Sequence, residues 1–220
     1  ENMNLESEQK ESTGDDKAAL VTIIGRPSAG KSTFLNTASG EMVSIVSSIP
    51  QTTRNAIRGI VNTSLGQLVF VDTPGYHESN KKMNLKMRNI VADQLANADS
   101  ILYVVDSTRP CGDEEKLITE LLKGHEKKTV AALNKIDEKD SNPSAARVFL
   151  SKQLPELSEK NIFDVSAKND EGINDVLRAL YELAPVAPHL YPEEFYTDQE
   201  VDFRIAEVIR EQAINRLDQE

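Results

Sequence analysis

Only one cysteine, Cys111, occurs among the 220 residues, so no internal disulfide framework can hold this chain, and the count fits a reducing compartment. No apolar run approaches the roughly 18 residues that span a bilayer. The first stretch, Glu1 to Lys17, is acidic and has no apolar signal core, which argues against secretion. An excess of positive charge is missing too: 25 basic side chains face 36 acidic ones, a net charge of −11. That acidity is local. Residues 1–17 carry six acidic and two basic groups, and residues 193–220 carry nine and three. The body between them is close to neutral. Such a chain is by itself a poor binder of a nucleic-acid polyanion. There is no internal repeat.

Against these absences, 39% of the residues are apolar and 28% charged, as in soluble globular proteins. The length suffices to bury roughly 70% of the unfolded surface. Short runs rich in Val and Ile recur at Leu20–Ile24, Ile57–Val61, Leu68–Val71, Ile101–Val105, Val130–Leu133 and Ile162–Val165. Helix-length stretches separate most of them, at Lys31–Ser39, Asn84–Ala96, Glu114–Lys123, Ser144–Gln153 and Ile173–Leu183. The Ile57 and Leu68 runs read as a hairpin. Strand–helix alternation predicts an α/β fold: a six-stranded, mostly parallel sheet with one antiparallel strand, Ile57–Val61, and helices on both faces. Residues 1–17 read as a disordered acidic tail, 18–184 as one domain and 185–197, with Pro185, Pro188 and Pro192, as a linker. Residues 198–220 read as a helix whose apolar residues, from Val201 to Leu217, fall on one stripe.

Four motifs carry chemistry. Gly25-Arg26-Pro27-Ser28-Ala29-Gly30-Lys31-Ser32, with Thr33 after it, matches the phosphate loop, between an apolar strand and a helix. Its glycines let successive N–H groups turn toward phosphate oxygens, and the helix adds its positive dipole end. Lys31 supplies a point charge, and Ser32 a hydroxyl for Mg²⁺. Asp72-Thr73-Pro74-Gly75 follows a strand; its Asp can hold the Mg²⁺ hydration shell, and the Gly75 N–H can sense a γ-phosphate. Asn134-Lys135-Ile136-Asp137 closes another strand. The Asp137 carboxylate accepts two parallel N–H bonds, which guanine offers and adenine does not. Asn134 can tie this loop to the phosphate loop, and the Lys135 stem can lie along the base. Ser166-Ala167-Lys168 would offer a backbone N–H to guanine O6. Cys111 lies in a turn with no base near it in sequence and reads as unreactive.

In this order the motifs resemble the translation-factor-like P-loop GTPases, and within them the Era family. The branch is suggested by Pro50-Gln51-Thr52-Thr53-Arg54-Asn55, where MnmE- and EngA-like relatives more often have Asp in the place of Asn55. It is also suggested by Tyr191-Pro192-Glu193-Glu194 and Ala206-Glu207-Val208-Ile209-Arg210-Glu211, similar to the family's linker and the start of its RNA-binding KH domain. The resemblance implies a switch that binds and hydrolyses GTP with Mg²⁺. Ser32, Thr53 (Thr52 as fallback) and Asp72 would hold the metal, and Lys31, Thr53 and Gly75 would act in catalysis. It further implies a role in small ribosomal subunit assembly, with rRNA bound mainly through a KH domain of which residues 198–220 are only the opening. A cytoplasmic monomer is expected, with a peripheral visit to the inner face of the cell membrane left open. Two readings compete: a nucleotide-dependent docking module with incidental hydrolysis, and another MnmE- or EngA-like GTPase.

Two positions depart from familiar patterns. The family usually has Asn where this chain has Ser28, and that Asn lends an oxygen to a monovalent cation beside the phosphates. Serine reaches less far, so the cation is an open point. Where Ras-like enzymes place a water-orienting Gln, this chain has Tyr76, then His77. A phenol near pKa 10 is a poor base, so intrinsic hydrolysis should be slow.

Overall fold

All six apolar runs become strands of one sheet. The computed structural model describes residues 16–39, 58–73 and 85–190. Within them run β1 (Lys17–Ile24), α1 (Lys31–Ser39), β2 (Arg58–Thr63), β3 (Gly66–Asp72), α2 (Leu85–Asn97), β4 (Ser100–Asp106), α3 (Asp113–Leu122), β5 (Thr129–Asn134), α4 (Pro143–Gln153), β6 (Ile162–Asp164) and α5 (Ile173–Leu183). The strand order is β2-β3-β1-β4-β5-β6. Only β2 pairs antiparallel, with β3; the remaining pairs are parallel. This is the expected architecture. The expected helix Asp198–Asp218 lies outside the described residues.

Side chains alternate across a strand, and that alternation divides the core in two. On one face Val21 and Ile23 of β1, Phe70 of β3 and Val104 of β4 meet Phe34 and Leu35 of α1 and Val176 and Leu180 of α5. On the other face Ile101, Tyr103 and Val105 of β4 meet Val91 and Leu95 of α2, Ile118 and Leu122 of α3, and Leu150 of α4. Each fully buried aliphatic side chain contributes about 1.5–3 kcal/mol of transfer free energy. Because both faces are covered, the central strand β4 is buried along its whole length. Local signals agree with this packing. Asn142 caps α4, accepting from the Ala145 N–H at 3.1 Å, and Pro143 occupies the first turn.

Residues on both sides of 18–184 also pair at the edge of the sheet. β1 begins at Lys17, inside the supposed tail, and the residues after α5 return to it. Ala18 N–H donates to Pro185 O (3.2 Å), Ala187 N–H donates to Asp16 O (3.0 Å), and Lys17 bridges Val186 antiparallel. The reason is geometric: β4 joins β1 only from Val21 onward, so the first residues of β1 have an open edge, and 185–187 fill it. Leu190 N–H then donates to the buried Gln67 Oε1 at 2.8 Å.

The hairpin from β2 to β3 turns through Ser64 and Leu65 and re-enters the ladder at Gly66. Gly66 has φ +134°, and a Cβ there would lie 1.9 Å from the Lys17 carbonyl oxygen. Its own carbonyl accepts from the Tyr181 hydroxyl of α5 at 2.9 Å. Gly66→Ala should therefore lose about 2–5 kcal/mol of stability, from a strained φ plus a backbone clash. Urea denaturation would measure it, and a loss below about 1 kcal/mol would contradict this packing.

Candidate functional site

In open α/β sheets, ligands bind beyond the carboxyl ends of the strands, where the strand order reverses. Here the reversal is at β1. The chain leaves β1 toward β3 on one side and returns to β4 on the other. All four motifs follow carboxyl ends: Gly25–Ser32 after β1, Asp72–Gly75 at β3, Asn134–Asp137 at β5 and Ser166–Lys168 after β6.

The loop after β1 is curled and self-closed. Ser28 (φ 61°) and Gly30 (φ 101°) take left-handed backbone conformations, the kind of alternation that gathers N–H groups into an anion nest. Ala29 N–H closes the turn on Arg26 O at 3.2 Å, and Phe34 N–H bonds Gly30 O at 2.8 Å as α1 begins. Lys31 is buried, and its Nζ donates to Gly25 O (3.0 Å) and Arg26 O (3.2 Å). The lysine thus folds back over its own loop. Gly25 has to be glycine, since a Cβ would sit 2.5 Å from Val104 O.

One side chain fastens this loop to the far side of the site. Asn134 Nδ2 donates to Ala29 O at 2.9 Å, and its Oδ1 accepts from Ala167 N–H at 2.9 Å. The tie that the sequence suggested between the β5 loop and the phosphate loop is present, and it extends to a third loop. It engages the Ala167 N–H, one of the donors expected to face a base. Asp137 is oriented by Ser166, whose Oγ donates to Asp137 Oδ1 at 2.7 Å and accepts from Asn169 N–H at 3.1 Å. Thr37 on α1 completes the lacing, its hydroxyl donating to Ala167 O at 2.7 Å. Ile136 N–H reaches Val165 O at 3.3 Å.

The metal set is described only in part. Ser32 stands at the start of α1. Asp72 ends β3 in register with Ile23, two residues before Gly25, and Thr73 pins that strand end by donating from Oγ1 to Ile23 O at 2.6 Å. The Ser32 hydroxyl and the β3 terminus therefore share one edge. This suits Mg²⁺, which takes one or two protein oxygens and completes its shell with phosphates and water. Among the described residues no cluster of three His, Cys, Asp or Glu side chains offers an all-protein cage. Thr53, Pro74, Gly75 and Tyr76 lie outside the described residues, as do Thr52 and His77.

Sequence reasoning overlooked a buried polar cluster behind the loops. The Arg26 side chain turns away from the nest: its Nε lies 3.4 Å from Glu115 Oε1 on α3, and its Nη2 3.9 Å from Asp106 Oδ2. Glu115 also accepts from the Tyr103 hydroxyl. Burial raises both the Glu115 and Tyr103 pKa values above their ordinary ones. Burial also pushes Asp106 upward, but hydrogen bonds from Thr108 and Lys135 outweigh it and leave its pKa below the usual aspartate value. The Cys111 thiol, near Glu115, is pushed to about 11 by burial, so it stays protonated at neutral pH. That agrees with the unreactive reading.

Comparison with known proteins bears directly on this arrangement. Residues 20–135 match the family described as 50S ribosome-binding GTPase. The fold is that of a P-loop GTPase. The chain is 59% identical over 197 residues to GTPase Era of Treponema denticola, covering 90% of this chain and 67% of that protein. It superposes with a TM-score of 0.76, at 31% identity, on Era of Aquifex aeolicus bound to GDP and AlF4⁻. With an Era in complex with MgGDPNP and nucleotides 1506–1542 of 16S ribosomal RNA, the TM-score is 0.78 at 30% identity. Both superpositions cover 90% of this chain and 67% of the other. The chain belongs to the Era family of GTPases.

Because Asn134 is buried and joins two loops, Asn134→Ala leaves Ala29 O and Ala167 N–H without their partner. A loss of about 2–4 kcal/mol in urea unfolding is expected. Hydrogen exchange should rise at Ala167 before it rises in β5; unchanged protection of that amide would contradict the tie.

Proposed function

We propose that this chain is a guanine-nucleotide switch whose GTP-bound form engages the RNA of the small ribosomal subunit. The observation that carries the reading is the likeness, over 90% of the chain, to an Era held with both MgGDPNP and 16S ribosomal RNA. Residues 18–184 act as the G domain, 185–197 as its connection, and 198–220 as the opening of a KH domain that reads the RNA. A near-neutral G domain fits that division, because it offers little attraction of its own for a polyanion. The work is cytoplasmic and done by a monomer. Among the described residues no helix is long and apolar enough to cross a membrane.

Each motif then has a role. The N–H groups of Gly25–Thr33 and the Lys31 ammonium cradle the β- and γ-phosphates, while Arg26 serves the loop through its backbone. Ser32, Thr53 and Asp72 would hold Mg²⁺, which when bound would supply charge neutralisation to the phosphates. Asp137, held by Ser166, reads the N1 and N2 side of guanine. Lys135 lies along the base, Ile136 carries the turn between them, and Ser166–Lys168 present an N–H to O6. Water attacks the γ-phosphorus in line, the bond to the β-phosphate oxygen breaks, the water proton passes to a γ-phosphate oxygen, and the Gly75 amide and Lys31 stabilise charge on the departing groups. Thr73, Pro74 and Tyr76 belong with Gly75 to the segment that senses the γ-phosphate. No general base is needed from this chain, which fits a slow intrinsic rate.

Two measurements test the reading. Asp137→Asn should exchange guanine preference for xanthine preference, since an amide donates where the carboxylate accepted; a mutant that still strongly prefers GTP over XTP would remove Asp137 from base reading. Single-turnover GTP hydrolysis should be slow alone and respond to purified small ribosomal subunits. A rate that stays negligible with every partner would favour the docking module.

A further inference from the structure

Asp106 belongs to none of the four motifs, yet it stands between two of them. β4 lies between β1 and β5 in the sheet, and Asp106 is its last residue, in register with Asn134. Its side chain is 1% exposed, and its two oxygens are used differently. Oδ1 accepts from Thr108 N–H (2.9 Å) and Thr108 Oγ1 (2.5 Å), which fixes the carboxylate plane. Oδ2 accepts from Lys135 Nζ at 2.9 Å and faces Arg26 Nη2 at 3.9 Å. One carboxylate oxygen thus receives the cation of the phosphate loop and the cation of the base loop.

The surroundings show how much depends on it. Lys135 has φ 69°, a left-handed conformation that costs a non-glycine residue energy and persists only when neighbours hold it. Arg26 is buried and, among the described residues, its Nε and Nη2 make ionic contacts without a hydrogen bond. Two cations are therefore balanced by two buried carboxylates, Asp106 and Glu115. Neutralising Asp106 leaves the buried Arg26 with Glu115 alone and takes from the partly exposed Lys135 its carboxylate partner, which is costlier than removing a fully exposed pair.

We propose that Asp106 is a positioning residue that sets Lys135 against the base and Arg26 behind the phosphate loop, so that the two halves of the nucleotide site are held by one carboxylate. The inference rests on the guanine-nucleotide reading above. With Oδ1 held by Thr108 and Oδ2 by Lys135, Asp106 acts through Lys135 and through the backbone of the loop that Arg26 anchors. Its effect falls on how long a nucleotide stays rather than on which base is chosen, because Asp137 and Ser166 remain in place.

The experiment is the dissociation rate of fluorescent GDP from the full chain, in a double-mutant cycle. Asp106→Asn should speed release about tenfold or more, the scale of one lost charge-assisted hydrogen bond. In a Lys135→Met background the same change should have a clearly smaller effect, about threefold, because the Lys135 arm is already gone and only the Arg26 arm is left to lose. Preference for GDP over XDP should persist in Asp106→Asn, a result that general loosening of the fold would not give. Thr108→Val, which keeps the carboxylate and the Thr108 backbone donor but removes the hydroxyl donor to Oδ1, should speed release about threefold, and it decides the matter if Asp106→Asn does not fold. Unchanged or slower release in either variant, or effects of Asp106→Asn and Lys135→Met that simply add, would overturn the proposal. If the unmutated chain binds GDP and Asp137→Asn switches to XDP, such an outcome sinks this inference alone. Failure of the unmutated chain to bind GDP would sink both readings.

Discussion

The site depends first on a single amide. Asn134 uses its nitrogen on Ala29 O and its oxygen on Ala167 N–H, so three loops from three strands are set by one planar group. The contact needs closeness: a Cβ on Gly30 would lie 2.1 Å from Asn134 Nδ2. The left-handed glycine is therefore required twice, once for its φ and once for its missing side chain. In a buried setting such an amide cannot be half satisfied without cost. The loops keep their separation because any drift breaks both bonds.

This lacing stands on a sheet that has no free face. The helix pair α1 and α5 covers one side and α2, α3 and α4 the other. Strands covered on both sides cannot slip in register without exposing apolar side chains, so the carboxyl ends of β1, β3, β4, β5 and β6 keep fixed relative heights. Five loops can then hold groups at hydrogen-bond distances although their strands are far apart in sequence. Specificity is built at the rim, and rigidity comes from the layers beneath.

Much of this was legible in the residues. Runs such as Ile101–Val105 announce buried parallel strands, and α1 and α5 begin and end where the periodicity places them. The spacing of Gly25, Gly30 and Lys31 specifies a loop geometry that few other functions need. Two features were not legible. Glu115 sits in Asp113-Glu114-Glu115-Lys116, which reads as a solvated first turn, and Tyr103 in an apolar run reads as packing. Only the fold brings them to Arg26. The same holds for Lys17 and Pro185–Ala187: a polar tail and a proline-rich linker carry no local sign that each supplies the other's missing strand edge.

That last pairing has a mechanical side. Asp16 and Ala187 are joined by a hydrogen bond at the amino end of β1, and Leu190 is held three residues further on by the buried Gln67. The phosphate loop lies at the other end of that strand, roughly 20 Å away at about 3.3 Å per residue. Both leads thus emerge from one pole, like two cords tied at the same corner. Tension between them would meet the Leu190–Gln67 bond and then the Ala187–Asp16 and Ala18–Pro185 bonds, one after another as a zipper opens, before loading the parallel ladder of β1. The corner would then serve as a fuse, sparing the nucleotide loops at the opposite pole the pull.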